Sequence, residues 1–154
     1  TITGSIITKY KNAFAAIPLL VSFIPMLMDT GGNCGSQSST LIIRGIALGE
    51  IRFSDLFRVM FKEFRVSLIV GVVLALANGL RILIMYRNAG LALVIGLSLV
   101  ATVIISKLIG CLLPLFAKKL HMDPAIMASP LITTLVDTCS ILIYFNIATR
   151  IFQL

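Results

Sequence analysis

Asp137 stands in Leu131-Ile132-Thr133-Thr134-Leu135-Val136-Asp137-Thr138, an apolar stretch with no lysine or arginine near it in sequence. A charged side chain at the centre of a membrane helix costs about 2.5–3.5 kcal/mol even on the lenient insertion scale. Counting back by helical turns meets Thr134, Thr133, Pro130 and Ser129, so one face of this segment is polar. A second polar group lies between Pro25 and Gly45. Asp29 and Asn33 are one turn apart there, Ser36 and Gln37 follow, and Gly31, Gly32 and Gly35 are interleaved with them. A carboxylate among hydroxyls and free carbonyls is a hard, all-oxygen environment, which favours magnesium, calcium or manganese over softer metals. Magnesium sheds water reluctantly and is held by one or two carboxylates through retained waters. One aspartate per chain suits such an ion where two chains meet at a pore, with the two polar clusters facing each other across a cavity.

These residues sit in a chain built for lipid. It is 58% hydrophobic with mean hydropathy +1.06 and only 12% charged, where a soluble domain carries about 25% charge. Its 154 residues accommodate about five helical segments at roughly 20 residues per span. The fold class expected is therefore an all-α integral membrane protein, with the whole of 1–154 as one transmembrane domain. Residues 1–10 lack the pattern of a cleavable signal, and they read as the tail of a longer chain. Residues 1–12, with Lys9 and Lys11, read as a loop or the end of an earlier helix.

Ala13 to Ala47 reads as one long helix, kinked or broken. Pro18 and Pro25 interrupt its first half, and the Gly-Gly-Asn at 31–33 loosens its middle. Such breaks survive in a membrane where neighbours satisfy the freed backbone groups. From about 51 to 65, Phe53, Leu56, Phe57, Met60, Phe61 and Phe64 recur at helical spacing, with Arg52, Asp55, Arg58, Lys62 and Glu63 on the remainder. This predicts an amphipathic helix lying in the interface, in contact with lipid. Val66 to Tyr86 is the next span, and its Gly71, Ala75 and Gly79 form a small-residue face for close packing. Tyr86-Arg87-Asn88 is a turn. Ala89 to Ser106 spans again, Lys107 near its end is expected to snorkel to the interface, and Pro114 with Lys118-Lys119 closes it. Asp123-Pro124 starts the last helix, with aspartate as N-cap, and that helix runs to about Thr149.

The net charge is +7, but seven of the thirteen basic residues lie between Arg44 and Arg65 or at Lys118 and Lys119. Such clustering marks a cytoplasmic face and not a nucleic-acid partner. Cys34, Cys111 and Cys139 are odd in number and widely spaced, which fits neither a disulfide framework nor a zinc site. His121 is the only histidine and reads as an interfacial loop residue, which leaves metalloprotease and serine–histidine chemistry without a base. Asp29 and Asp137 could be imagined as an aspartyl-protease dyad, but the Tyr-Asp and Gly-x-Gly-Asp patterns of intramembrane proteases are absent. An enzyme is not expected. A secondary transporter of another divalent cation or a small ion, using a broken-helix site with its half-helix dipoles, is the alternative to a pore.

Pro25, Gly31-Gly32-Asn33-x-Gly35-x-Gln37 and Arg44-Gly45-x-Ala47-Leu48-Gly49-Glu50 resemble the signature of the MgtE-type magnesium channels. So do Asp123-Pro124-Ala125 and Pro130-Leu131-x-Thr133-Thr134-x-x-Asp137. The resemblance covers nearly the whole chain. It implies five transmembrane helices per subunit, the first largely missing here, and a homodimer in the plasma or inner membrane. The central pore would be lined by the second helix (Ala13–Ala47) and the fifth (Asp123–Thr149). It implies that Asp137 holds hydrated Mg2+, that backbone carbonyls at Gly32, Asp29 and Thr133 face the ion, and that Asn33 is the signature asparagine. Position 29 departs from the family, where it is often small. Nothing in the chain corresponds to the cytosolic gating domains of that family.

Overall fold

The computed structural model describes residues 18–127 and 130–153, and within them the chain is helical with no strands. The expected readings of 1–12, of Ala13 to Ile17 as the start of a helix, and of Ser129 on a polar face lie outside the described residues. A 3-10 segment, Pro18–Phe23, leads into helix α1, Ile24–Ala47. A 3-10 turn, Phe53–Asp55, then precedes α2, Leu56–Tyr86, and α3, Ala89–Lys119, follows directly. A last 3-10 turn, Pro124–Met127, comes before α4, Pro130–Phe152. Three helical stretches, Phe53–Tyr86, Ala89–Lys119 and Pro130–Phe152, are long and apolar enough to cross a membrane. α1 has 24 residues, about 36 Å at 1.5 Å per residue, so it has the length of a span but a polar middle.

α3 is the central helix. α2 packs on it, α1 and α4 also pack on it, and α1 and α4 pack on each other. One apolar core gathers Leu20, Ile24, Leu27, Leu91, Ile95, Leu99, Ile141, Tyr144 and Phe145. Tyr144 solves its own polarity there by donating its hydroxyl to the Leu20 carbonyl at 2.8 Å. A smaller core joins Ile42, Cys111 and Leu115 to Ile51, Phe53, Leu56 and Met60. On α2 the large side chains Ile69, Val73, Leu76, Leu80 and Ile84 are exposed and spaced by three or four, which makes a stripe suited to lipid.

The all-helical membrane class is as expected, and four local readings change. First, α1 is an unbroken α-helix through Gly31, Gly32 and Asn33. Its glycines serve packing: a Cβ at Gly31 would come within 2.8–2.9 Å of Val136, Ser140 and Thr102. Second, no separate interfacial helix exists at 51–65. Nothing between Arg65 and Val66 stops a helix, so the segment from Leu56 is the first part of α2. Its apolar residues divide between two faces, Leu56 and Met60 packing on the smaller core while Phe57 and Phe61 are exposed. Third, α3 continues from Ala89 through Pro114 to Lys119, and Lys107 does not snorkel. It is buried and paired with Glu63, which is buried as well. Fourth, Asp123 does cap, its Oδ1 accepting from the Ala125 amide at 2.9 Å, but what it caps is the 3-10 turn Pro124–Met127, and α4 begins only at Pro130.

The expected turn is present. Arg87 takes a left-handed conformation at the end of α2, and Asn88 caps α3 by accepting from the Leu91 amide at 2.9 Å. The small-residue face of α2 also does what its spacing predicts, since a Cβ at Gly71 would come 3.1 Å from the Val100 backbone on α3. After α1 the chain reverses through Gly49, whose φ of 72° is costly for any residue with a side chain.

Candidate ion site between α1 and α4

α1 and α4 border an open cavity of about 210 Å3 lined by Met28, Asp29, Gly32, Asn33, Thr133 and Asp137. All five residues proposed from sequence therefore line one cavity. The local reason is helical periodicity. Positions 29, 32 and 33 fall on one face of α1, and 133 and 137 are one turn apart on α4. The helices come close because Gly31 and Gly35 let the flank of α4 at Ile132, Val136 and Ser140 approach the α1 backbone.

The chemistry of the cavity is that of acceptors. Asp137 is half-buried and Asp29 and Asn33 are exposed, and neither carboxylate has an ion-pair or hydrogen-bond partner among the described residues. The Thr133 and Thr134 hydroxyls donate to the Pro130 carbonyl at 3.1 and 2.9 Å, and Thr138 donates to the Thr134 carbonyl at 2.9 Å. Their protons are used within α4, and Thr133 lines the cavity beside Asp137. The Gly32 carbonyl belongs to a continuous helix and spends one lone pair there, with a second remaining. The loosened backbone expected at 29–33 is thus absent, and any carbonyl contribution comes from that second lone pair.

No group of three or more His, Cys, Asp or Glu side chains that could hold a bare metal ion occurs among the described residues. One or two carboxylates with room for water is instead the pattern that suits an ion keeping its hydration. At about 30 Å3 per water in the liquid, the cavity accommodates an ion with several waters.

Sequence reasoning placed Ser36 and Gln37 in this polar group but missed its continuation to Thr40. A second, larger cavity of about 500 Å3 is lined by Asn33, Ser36, Gln37, Thr40 and Leu41. It shares Asn33 with the first, so a polar track runs along α1 from Asp29 to Thr40. The signal was available in the spacing of Asp29, Asn33, Gln37 and Thr40 by four, four and three. Thr40 was hidden by its neutrality and by the apolar residues that follow it.

The family whose model matches residues 24–147 is MgtE, divalent cation transporter. Three relatives carry the name Magnesium transporter MgtE. That of Bacillus subtilis (strain 168) is 40% identical over 96% of this chain and 33% of its own length. That of Thermus thermophilus is 36% identical over 99% of this chain and 34% of its own. The Enterococcus faecalis protein is 34% identical over 96% and 32%. The chain spans about a third of the length of the curated relatives it matches. By the extent of these matches, it belongs to the MgtE family of divalent cation transporters.

Proposed function

We propose that this chain forms the conducting part of a passive magnesium channel in the plasma or inner membrane, carrying Mg2+ into the cytoplasm. The observation that carries this reading is the cavity holding Asp29, Gly32, Asn33, Thr133 and Asp137. Among the described residues no cation pairs with its acids, and an unpaired carboxylate among membrane helices calls for a partner. Hydrated Mg2+ supplies that partner. Asp137 accepts hydrogen bonds from the ion's waters, the second lone pair of the Gly32 carbonyl accepts others, Thr133 lines the same cavity, and Asn33 borders both cavities. The face that exposes Asp29, Asn33, Gln37 and Thr40 is too polar to meet lipid. It suits a homodimer in which two copies of α1 and α4 surround a shared aqueous path, with Asp137 from each. The unbroken α1 removes the half-helix dipoles on which the alternative of a secondary transporter for a small anion rests. Relatives about three times as long leave room for a cytosolic regulatory domain acting on this one.

The test is passive Mg2+ influx into proteoliposomes. Asp137→Ala is expected to abolish influx while the protein stays folded and keeps its mass in detergent; influx at the wild-type rate in that variant would sink the reading. Asp29→Asn is expected to weaken divalent affinity, and unchanged affinity would remove Asp29 from the path.

A further inference from the structure

The buried trio Ser38, Glu63 and Lys107 joins three helices on the far side of α1 from its polar track. Ser38 of α1 donates its hydroxyl to Glu63 Oε2 of α2 at 2.6 Å. Lys107 Nζ of α3 donates to Ser38 Oγ at 3.1 Å and to the same Glu63 Oε2 at 3.3 Å. All three residues are buried, and Lys107 with Glu63 is the only ion pair among the described residues. A membrane helix bundle satisfies such charges on one another, so apolar packing could replace the pair wherever only stability were required. What the trio adds is direction. A hydroxyl between a carboxylate and an ammonium donates to the carboxylate and accepts from the ammonium, so both the rotation and the height of α1 are set at Ser38.

The surroundings make that setting consequential. A Cβ at Gly110, three residues along α3 from Lys107, would strike the Gly35 carbonyl, and one at Gly35 would come 3.2 Å from the Ser106 carbonyl. α1 and α3 thus touch backbone to backbone one turn from the trio. With contact that close, the polar bonds at Ser38 act together with the packing of Ile132 and Val136 on Gly35 to fix the rotation of α1. Gln37, beside Ser38, lines the 500 Å3 cavity, so a rotation at Ser38 turns Asn33, Gln37 and Thr40 with it.

We infer that Ser38, Glu63 and Lys107 are positioning residues for transport: a polar strut that holds the ion-facing side of α1 toward the path and couples it to the first turns of α2. The inference rests on the pore reading above. Its test is Mg2+ influx per folded protein, and the Mg2+ concentration for half-maximal influx, in proteoliposomes of the intact protein. Wild type is compared with Ser38→Ala, with the double variant Glu63→Gln and Lys107→Met, and with Asp137→Ala. Ser38→Ala keeps both charges paired, so it carries the test even where the double variant fails to fold. It is expected to lower influx about ten-fold, the scale of one lost hydrogen bond to a charged group, and to shift half-saturation. A solely structural trio would lower melting temperature alone, so wild-type influx and half-saturation in Ser38→Ala overturn the inference. The pore reading fails differently, by Asp137→Ala conducting like wild type.

Discussion

Glu63 and Asp137 are both carboxylates within membrane-length helices, and the molecule treats them in opposite ways. Glu63 is buried, with an ammonium 3.3 Å away and a hydroxyl at 2.6 Å. Asp137 is half-buried, has no such partner among the described residues, and opens on a 210 Å3 cavity with Asp29 nearby. A charge neutralised inside the protein has nothing left to offer a solute and can only hold helices in place. A charge left unpaired is available to a cation. The difference supports the two tasks proposed for these acids within one bundle, Glu63 setting the posture of α1 and Asp137 meeting the ion.

The sharpest way to break this contrast is to make Glu63 resemble Asp137. Lys107→Met leaves a buried carboxylate without its cation and should lower unfolding stability in detergent by about 3–5 kcal/mol. The loss of a partner at Asp137 has no counterpart, so Asp137→Ala should leave stability unchanged or slightly raised. A destabilisation of Asp137→Ala equal to that of Lys107→Met would erase the distinction. A smaller effect is expected from Gly110→Ala, whose added methyl meets the Gly35 carbonyl. Overpacking of this kind costs about 1–3 kcal/mol, and influx should fall with it, because the contact sets the same helix as Ser38. The smallest effect belongs to a bond remote from both acids. Tyr144→Phe loses the hydrogen bond to the Leu20 carbonyl and should cost about 1 kcal/mol, read as a lower denaturation midpoint, with influx per folded protein unchanged.

How far the sequence reveals this contrast depends on what each acid needs. Asp137 is legible because its significance is an absence, the lack of basic residues around it. Glu63 is not, because its partner lies 44 residues away and a basic, phenylalanine-rich segment looks interfacial whether or not one acid turns inward. The site residues on each helix follow from spacing by three and four. That the two clusters could face each other across a cavity followed from their polar faces, while the choice of Gly32 and Thr133 as ion-facing positions came from a resemblance. The glycines of α1 were misread because a glycine in a helix serves equally to break it or to admit a neighbour. Only the approach of Val136, Ser140 and Thr102 to Gly31 decides which. Pro114 ends nothing, since α3 runs on to Lys119, and Lys107 lies well inside it.

The central claim is that the unpaired carboxylate at 137 holds a divalent cation in the cavity between α1 and α4. Mn2+ binding to the intact protein, followed by electron paramagnetic resonance and displaced by Mg2+, tests it without reliance on flux. The account predicts a Mg2+-displaceable Mn2+ population in wild type that is lost in Asp137→Asn and retained in Ser38→Ala. The same population in Asp137→Asn, at wild-type affinity, would contradict it.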